Sequence, residues 1–171
     1  MIIIGIDPGT TRIGWAVIKT RKKEVKPLNY GCWELKEKEQ GARLLKIFHN
    51  LNKLIKDYSP DYLIIERVFF FKNAKTVMSI SEAVGVISLT AQKNKLKCHY
   101  LTPLEVKQIL IGYGRAEKKE IQKFVQMIFS LKEIPKPDDT SDALAVAIAG
   151  FHKLNHLKNT VLIKRNETKR N

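Results

Sequence analysis

The chain begins with the segment IIIGIDPGTT at residues 2–11. Four of residues 2–6 are isoleucine, and such β-branched residues without helical spacing predict a central strand that is apolar on both faces. The strand ends on a carboxylate, Asp7, before a turn that Pro8 and Gly9 favour. A carboxylate there is unfavourable unless a cation meets it, whereas a turn-capping role needs none. Both interpretations are open on this segment alone.

A second buried strand also ends on a carboxylate. Residues 62–65 form the short apolar run YLII, and Glu66 follows it. A helix predicted over residues 40–59 lies between the two strands and allows a right-handed crossover, which would make them parallel neighbours. The carboxylates of Asp7 and Glu66 would then be adjacent at one edge of the sheet, where α/β proteins bind their ligands.

Two further acids open the last predicted helix, which is apolar nearly all round and therefore buried. Asp139 and Asp142 are three residues apart and share one helix face. Helix capping and compensation of the helix dipole are the alternative roles, and they suit Asp138 best. Asp142 is followed by a wholly apolar helix, which favours a site over a cap.

Four carboxylates at one point would repel each other, so that either protons or cations must neutralise them. Hard carboxylate oxygens favour Mg²⁺ or Mn²⁺. Two such ions ~4 Å apart would stabilise the attacking and leaving oxygens of a phosphodiester displacement. The acids therefore indicate metal-dependent cleavage of a phosphodiester.

The composition favours an anionic partner. Lysine and arginine number 31 against 17 acidic residues, which gives a net charge of +14. Nucleic acid is the first candidate and an anionic membrane surface the second, although a lysine-rich genome or a thermophilic source would also raise the lysine content. No apolar run has the length of a membrane span, and the first residues lack a signal-peptide pattern, so we expect a soluble cytoplasmic protein. Two cysteines are too few for a disulfide framework.

The order of the predicted elements is three strands, a helix, a strand, a helix, a strand and further helices. This order predicts an α/β protein in which helices flank a five-stranded mixed β-sheet. The remaining strands are predicted at residues 12–18, 28–35 and 98–101, and the remaining helices at 74–93, 103–111, 116–129 and from 138. We expect one domain at residues 1–153 and a basic, partly disordered tail at residues 154–171.

Four motifs stand out along the chain: GIDPG at residues 5–9, IERVF at 65–69, GYGRAEK at 112–118 and DTSDALA at 139–145. Together they resemble one known family, the RuvC family of Holliday-junction resolvases. Their order and spacing match that family from residue 1 to about residue 153. The first motif alone is weak, whereas the set is specific.

The resemblance implies a ribonuclease H-like fold, a homodimer, Mg²⁺ dependence and paired nicks across a four-way DNA junction. It also implies the branch-migration complex RuvA/RuvB as a partner. The implied catalytic and metal-binding acids are Asp7, Glu66, Asp139 and Asp142, and the implied DNA-binding residues are Phe69, Lys107 and Lys118. The two lysines could instead lie on solvated helix faces, which is the less favoured alternative, and Phe69 is followed by Phe70 and Phe71, which could stack on DNA in its place.

Three other classes of protein share part of this pattern. Actin-like and sugar-kinase ATPases carry a similar phosphate-binding turn, but they need two such halves and a second phosphate loop. A YqgF-like ribosomal RNA nuclease begins with a similar strand and turn, but it is typically shorter and lacks the acidic helix start at residues 139–142. A non-catalytic DNA-binding module would be hindered by four acids near phosphate.

Overall fold

The computed structural model describes the backbone of residues 1–22, 24–67 and 74–168, and the side chains of residues 1–22, 24–67 and 77–156. Over these residues the chain forms five strands and five helices. The strands are β1 (Ile2–Asp7), β2 (Arg12–Arg21), β3 (Glu24–Glu34), β4 (Tyr62–Glu66) and β5 (Lys97–Leu101). The helices are α1 (Gln40–Tyr58), α2 (Ala74–Lys93), α3 (Pro103–Ile111), α4 (Lys118–Ile128) and α5 (Asp138–Thr168). None of the helices in the described ranges combines the length and apolar character needed to cross a membrane.

The strands form one mixed sheet in the order β3-β2-β1-β4-β5. Neighbours among β1, β2 and β3 are antiparallel, whereas β4 pairs in parallel with both β1 and β5. The predicted fold class is therefore confirmed, and so is the predicted parallel pairing of β1 with β4. Their register aligns Ile6 with Ile65, so the two strands end side by side at Asp7 and Glu66.

The register also decides on which face of the sheet each of these acids lies, because side chains along a strand alternate between the two faces. In β1, Ile3 belongs to the apolar cluster formed with α5, and Ile4 belongs to the cluster formed with α1 and α2. The alternation therefore directs Asp7 to the α5 face. Ile64 of β4 also packs in the α5 cluster, which directs Glu66 to the same face.

Helix α5 lies very close to the sheet because two strand glycines have no side chain. A Cβ on Gly5 would lie 2.4 Å from the backbone oxygen of Ala143, and a Cβ on Gly14 would lie 1.9 Å from that of Asp139. Non-bonded atoms do not approach so closely. The two glycines therefore allow the first turn of α5 to reach the sheet edge at which β1 and β4 end.

Helix α3 begins as the sequence predicts. The Thr102 hydroxyl accepts a hydrogen bond from the Glu105 amide at 3.0 Å, and the Glu105 carboxylate accepts one from the Thr102 amide at 2.8 Å. This reciprocal capping fixes the start of the helix at Pro103. The helix ends before Gly112, whose φ of 94° is one that glycine adopts readily.

Several element bounds differ from the sequence prediction. Strands β2 and β3 continue into the charged segment, as far as residues 19–21 and 24–26, because strands in an exposed hairpin pair their backbones whatever their side chains are. Helix α5 continues to Thr168, through most of the segment predicted as a tail. Leucine and lysine favour helix, so a polar composition does not end one. The domain boundary at residue 153 stays a prediction.

Candidate active site

Asp7 and Glu66 meet at the carboxyl ends of β1 and β4. Both side chains are half-buried, and the Asp7 carboxyl group forms a hydrogen bond with that of Glu66. Two carboxyl groups in such contact share a proton more readily than they carry two negative charges. The pair therefore behaves as one site rather than as two independent surface acids.

The first turn of α5 brings two more acids to this pair. Asp139 and Asp142 have side chains that are 30% and 26% exposed, so each is partly covered while keeping an open side. Both lie close enough to raise the pKa of Asp7 by electrostatic repulsion. The structure thus brings together the four acids that the sequence analysis proposes.

The four carboxyl groups lie close together and are partly buried, so the site carries excess negative charge. Burial, followed by repulsion from Glu66, Asp142 and Asp139, raises the pKa of Asp7 to about 8. Burial and then repulsion from Asp142 raise the pKa of Glu66 to about 7. Burial also raises the pKa of Asp142, although the hydrogen bond from Lys118 opposes this effect. Protons are therefore retained here at neutral pH unless a cation takes their place.

Cationic side chains flank the acids. The Lys118 ammonium lies 2.9 Å from the Asp142 carboxylate and 3.3 Å from that of Asp138. Lys107 and Lys118 line a groove of about 230 Å³ together with Glu66 and Asp142. Both lysines act to lower the pKa of Glu66, in part offsetting its burial. The structure therefore places both sequence-predicted lysines at the groove beside the acids.

The donor set fits a hard divalent cation, because every charged oxygen in it is a carboxylate oxygen and the raised pKa values reflect a lack of positive charge. Within the part of the chain that the structure describes, however, no three His, Cys, Asp or Glu side chains already converge in the manner of a metal site. The Asp7 and Glu66 carboxyl groups contact each other, and Asp142 contacts Lys118. Binding of a cation therefore requires these side chains to turn from their present partners.

Two residues beside the site were missed or read differently at the level of sequence. Arg12, the first residue of β2, has a guanidinium nitrogen 4.0 Å from the Asp139 carboxylate, and no motif singled it out. The sequence pattern suits Asp138 to a helix cap, yet its carboxylate contacts Lys118. A basic residue three positions after the Asp-Pro-Gly segment at residues 7–9 is the one signal that could have pointed to Arg12. Phe69 lies outside the described residues.

Comparison with known proteins gives matches along nearly the whole chain. The family model described as crossover junction endodeoxyribonuclease RuvC matches residues 3–150. The chain is 42% identical over 158 residues to a crossover junction endodeoxyribonuclease RuvC of Desulfitobacterium hafniense, and this match covers 92% of the chain and 96% of the relative.

Solved structures agree with the sequence matches. A structure of Thermus thermophilus RuvC superposes with a TM-score of 0.85 at 27% identity, covering 91% of this chain and 96% of the other. The structure of T. thermophilus RuvC in complex with Holliday junction substrate gives a TM-score of 0.83 at 28% identity, covering 87% and 92% of the two chains. The chain therefore belongs to the RuvC family of crossover junction endodeoxyribonucleases.

Proposed function

We propose that the chain resolves four-way (Holliday) DNA junctions in recombination and repair by paired, symmetric nicks. The observation that carries this proposal is the group of four acids at one sheet edge, which two lysines flank at an open groove. The acids can bind a divalent cation, and the lysines beside them can bind a DNA phosphate. Both capacities serve hydrolysis of a DNA backbone. The similar T. thermophilus protein was solved with a Holliday junction, which supports the choice of substrate. We assign the activity to residues 1–153, which hold every proposed site residue.

We propose Mg²⁺ as the cofactor, with Mn²⁺ able to substitute. Asp7, Glu66, Asp139 and Asp142 would hold it through carboxylate oxygens. A bound divalent cation supplies the positive charge that stabilises a phosphodiester as its bond is cleaved. Support comes from the all-oxygen donor set and from the raised pKa values of Asp7 and Glu66.

The lysines of the groove have a separate role in this proposal. Lys107 and Lys118 bind phosphate oxygens of the DNA strand at the site, since an ammonium group is a compact cation with three hydrogen-bond donors. This role is supported by their position in the groove with Glu66 and Asp142, which sets positive charge beside the acids. They orient the strand and offset its charge while the acids bind the cation.

We further propose that Phe69 stacks on unpaired bases at the centre of the junction. It follows Glu66 by three residues in the sequence. An aromatic side chain that stacks on a base contributes about 1–3 kcal/mol to nucleic-acid binding. Such stacking would favour a junction, whose central bases are exposed, over an intact duplex.

A homodimer is the proposed active form. Helix α2 exposes Met78 and Leu89, whose exposed fractions are 67% and 60%, and between them Gly85 has open space where a side chain would project. Their spacing of seven and four residues puts them on one helix face. An apolar face with a central glycine suits close contact with a symmetry-related copy, and a two-fold dimer suits paired cuts.

Gly85→Glu is expected to convert the dimer to monomers and paired cuts to single nicks, because it places a charge in the centre of the apolar face. Sedimentation velocity at micromolar concentration measures the assembly. A circular DNA that carries a four-way junction separates the two kinds of cleavage, because paired cuts give a linear product and a single cut gives a nicked circle. Gly41→Glu is the matched control, because Gly41 is a helical glycine that also faces open space. A wild-type monomer at this concentration would contradict the dimer.

Two proposals rest on family membership alone. We propose that the branch-migration complex RuvA/RuvB is a partner, and that the protein acts in the cytoplasm.

The test of the proposed function compares three labelled substrates in Mg²⁺: an immobile four-way junction, a duplex of the same sequence and a structured RNA. We expect paired nicks in the junction, little cleavage of the other two, and no cleavage with EDTA. Preferential cleavage of RNA would indicate a ribosomal RNA nuclease instead. Tight junction binding without cleavage under any divalent metal would indicate a DNA-binding module.

A further inference from the structure

We propose that Asp138 is a positioning residue that holds Lys118 beside the acids when Asp142 binds the metal. The Lys118 ammonium lies between two carboxylates, 3.3 Å from that of Asp138 and 2.9 Å from that of Asp142. These two acids are four residues apart on α5, so they share one helix face. The inference rests on the proposed function, to which it adds a residue that the proposed catalytic and DNA-binding sets do not include.

Lys118 needs a carboxylate partner to stay at this place. It is the first residue of α4, and the positive end of a helix dipole disfavours a cation there. Its side chain is 52% exposed, so packing alone does not fix it. Among the ion pairs of the described residues, Asp138 and Asp142 are the partners that Lys118 has.

The two partners differ in what they can do once a cation is bound. Asp142 is among the proposed metal ligands, so its charge is then shared with the cation and its hold on Lys118 weakens. The Asp138 side chain is 61% exposed and faces Lys118 at the rim of the site. Asp138 therefore keeps its full charge for Lys118 and restrains the ammonium at the groove, where the proposed phosphate contact takes place.

The first measurement is single-turnover cleavage of the junction at saturating enzyme and Mg²⁺. Asp138→Asn is expected to lower the cleavage rate about tenfold while junction affinity stays equal or rises, because the variant loses a negative charge. Asp138→Glu keeps a carboxylate within reach and should recover most of the rate. Asp57→Asn is the control for net charge, since Asp57 is an exposed acid near the end of α1, at the opposite end of the sheet. A rate for Asp138→Asn equal to that of Asp57→Asn would overturn the inference.

The second measurement is a double-mutant cycle with Lys118→Gln. If Asp138 acts through Lys118, Asp138→Asn should have no further effect on the cleavage rate in the Lys118→Gln background. An equal loss in both backgrounds would mean that Asp138 acts independently of Lys118, and would overturn the positioning role. A wild-type protein that fails to nick junctions would overturn the proposed function, and this inference with it.

The third measurement needs no DNA. Calorimetric titration with Mn²⁺ should give Asp138→Asn an affinity within about twofold of wild type, whereas Asp142→Asn should lose most of its affinity. A loss for Asp138→Asn as large as that for Asp142→Asn would make Asp138 a metal ligand. Thermal melts of the metal-free variants should agree within about 2 °C, because Asp138 is exposed. A collapse of the Asp138→Asn fold would make the residue structural.

Discussion

Asp7→Asn is expected to lower metal-dependent junction cleavage by about three orders of magnitude or more, while junction binding is retained or becomes tighter. Asparagine keeps the shape of the side chain, but it removes the charge that a divalent cation must meet. Asp7 also has its three acidic neighbours close enough to shift its own pKa, so it lies centrally in the group. Removal of one negative charge from a site that faces DNA favours binding of the polyanion.

Single-turnover nicking and a gel-shift titration measure the two halves of this prediction on the same preparation. Asp57→Asn serves again as the control, because it makes the same chemical change at an exposed position near the end of α1. The control should cleave at the wild-type rate. Cleavage by Asp7→Asn at a rate near that of wild type would remove Asp7 from the proposed metal ligands.

In metal-free buffer, the same substitution is expected to stabilise the fold, and the gain should grow as the pH rises. The folded-state pKa of Asp7 is about 8, well above the ordinary value of 3.8 for a free aspartate. Below about pH 4 the Asp7 carboxyl group is protonated in both the folded and the unfolded state, so it does not change the free energy of unfolding. Between pH 4 and pH 8 the unfolded chain releases the proton while the folded chain retains it, so stability falls by up to about 1.4 kcal/mol per pH unit.

Asparagine never ionises, so Asp7→Asn escapes this loss of stability. Thermal melts of wild type and variant in EDTA should therefore diverge from pH 5 to pH 8, with the higher Tm in the variant. Mg²⁺ should raise the Tm of wild type more at pH 8 than at pH 6, because the cation replaces the retained protons. A difference in Tm that does not change with pH, as expected for Asp57→Asn, would mean that Asp7 is not held protonated in the fold.

Much of the architecture follows from local patterns in the sequence. The isoleucine-rich segment predicts β1 and the run at residues 62–65 predicts β4, because β-branched and apolar residues in short runs favour buried strands. The change to helical spacing at Gln40 predicts the start of α1, and the pattern at residues 102–105 predicts that of α3. These features depend on neighbours within a few residues, so one sequence is enough to find them.

The ends of elements were harder to predict where their stability comes from distant contacts. Charged residues at the exposed end of the β2–β3 hairpin are strand residues because their backbones pair. The local sequence pattern does not predict this pairing. Helix α5 continues into a polar segment for which composition predicted a tail. Polar composition is a weak guide there, because leucine and lysine favour helix in a polar segment as well.

The sequence by itself determined the presence of acids at the ends of buried elements and of a basic surface, because residue type and spacing are local properties. Only the tertiary structure decided that Asp7 and Glu66 lie on the same face as α5, since a shift of one residue in strand register would turn either acid to the other face. The tertiary structure also decided how closely α5 packs on the sheet, and that Lys118 lies between Asp138 and Asp142. Contacts between residues twenty or more positions apart depend on how whole elements pack, and no spacing within a single segment encodes that.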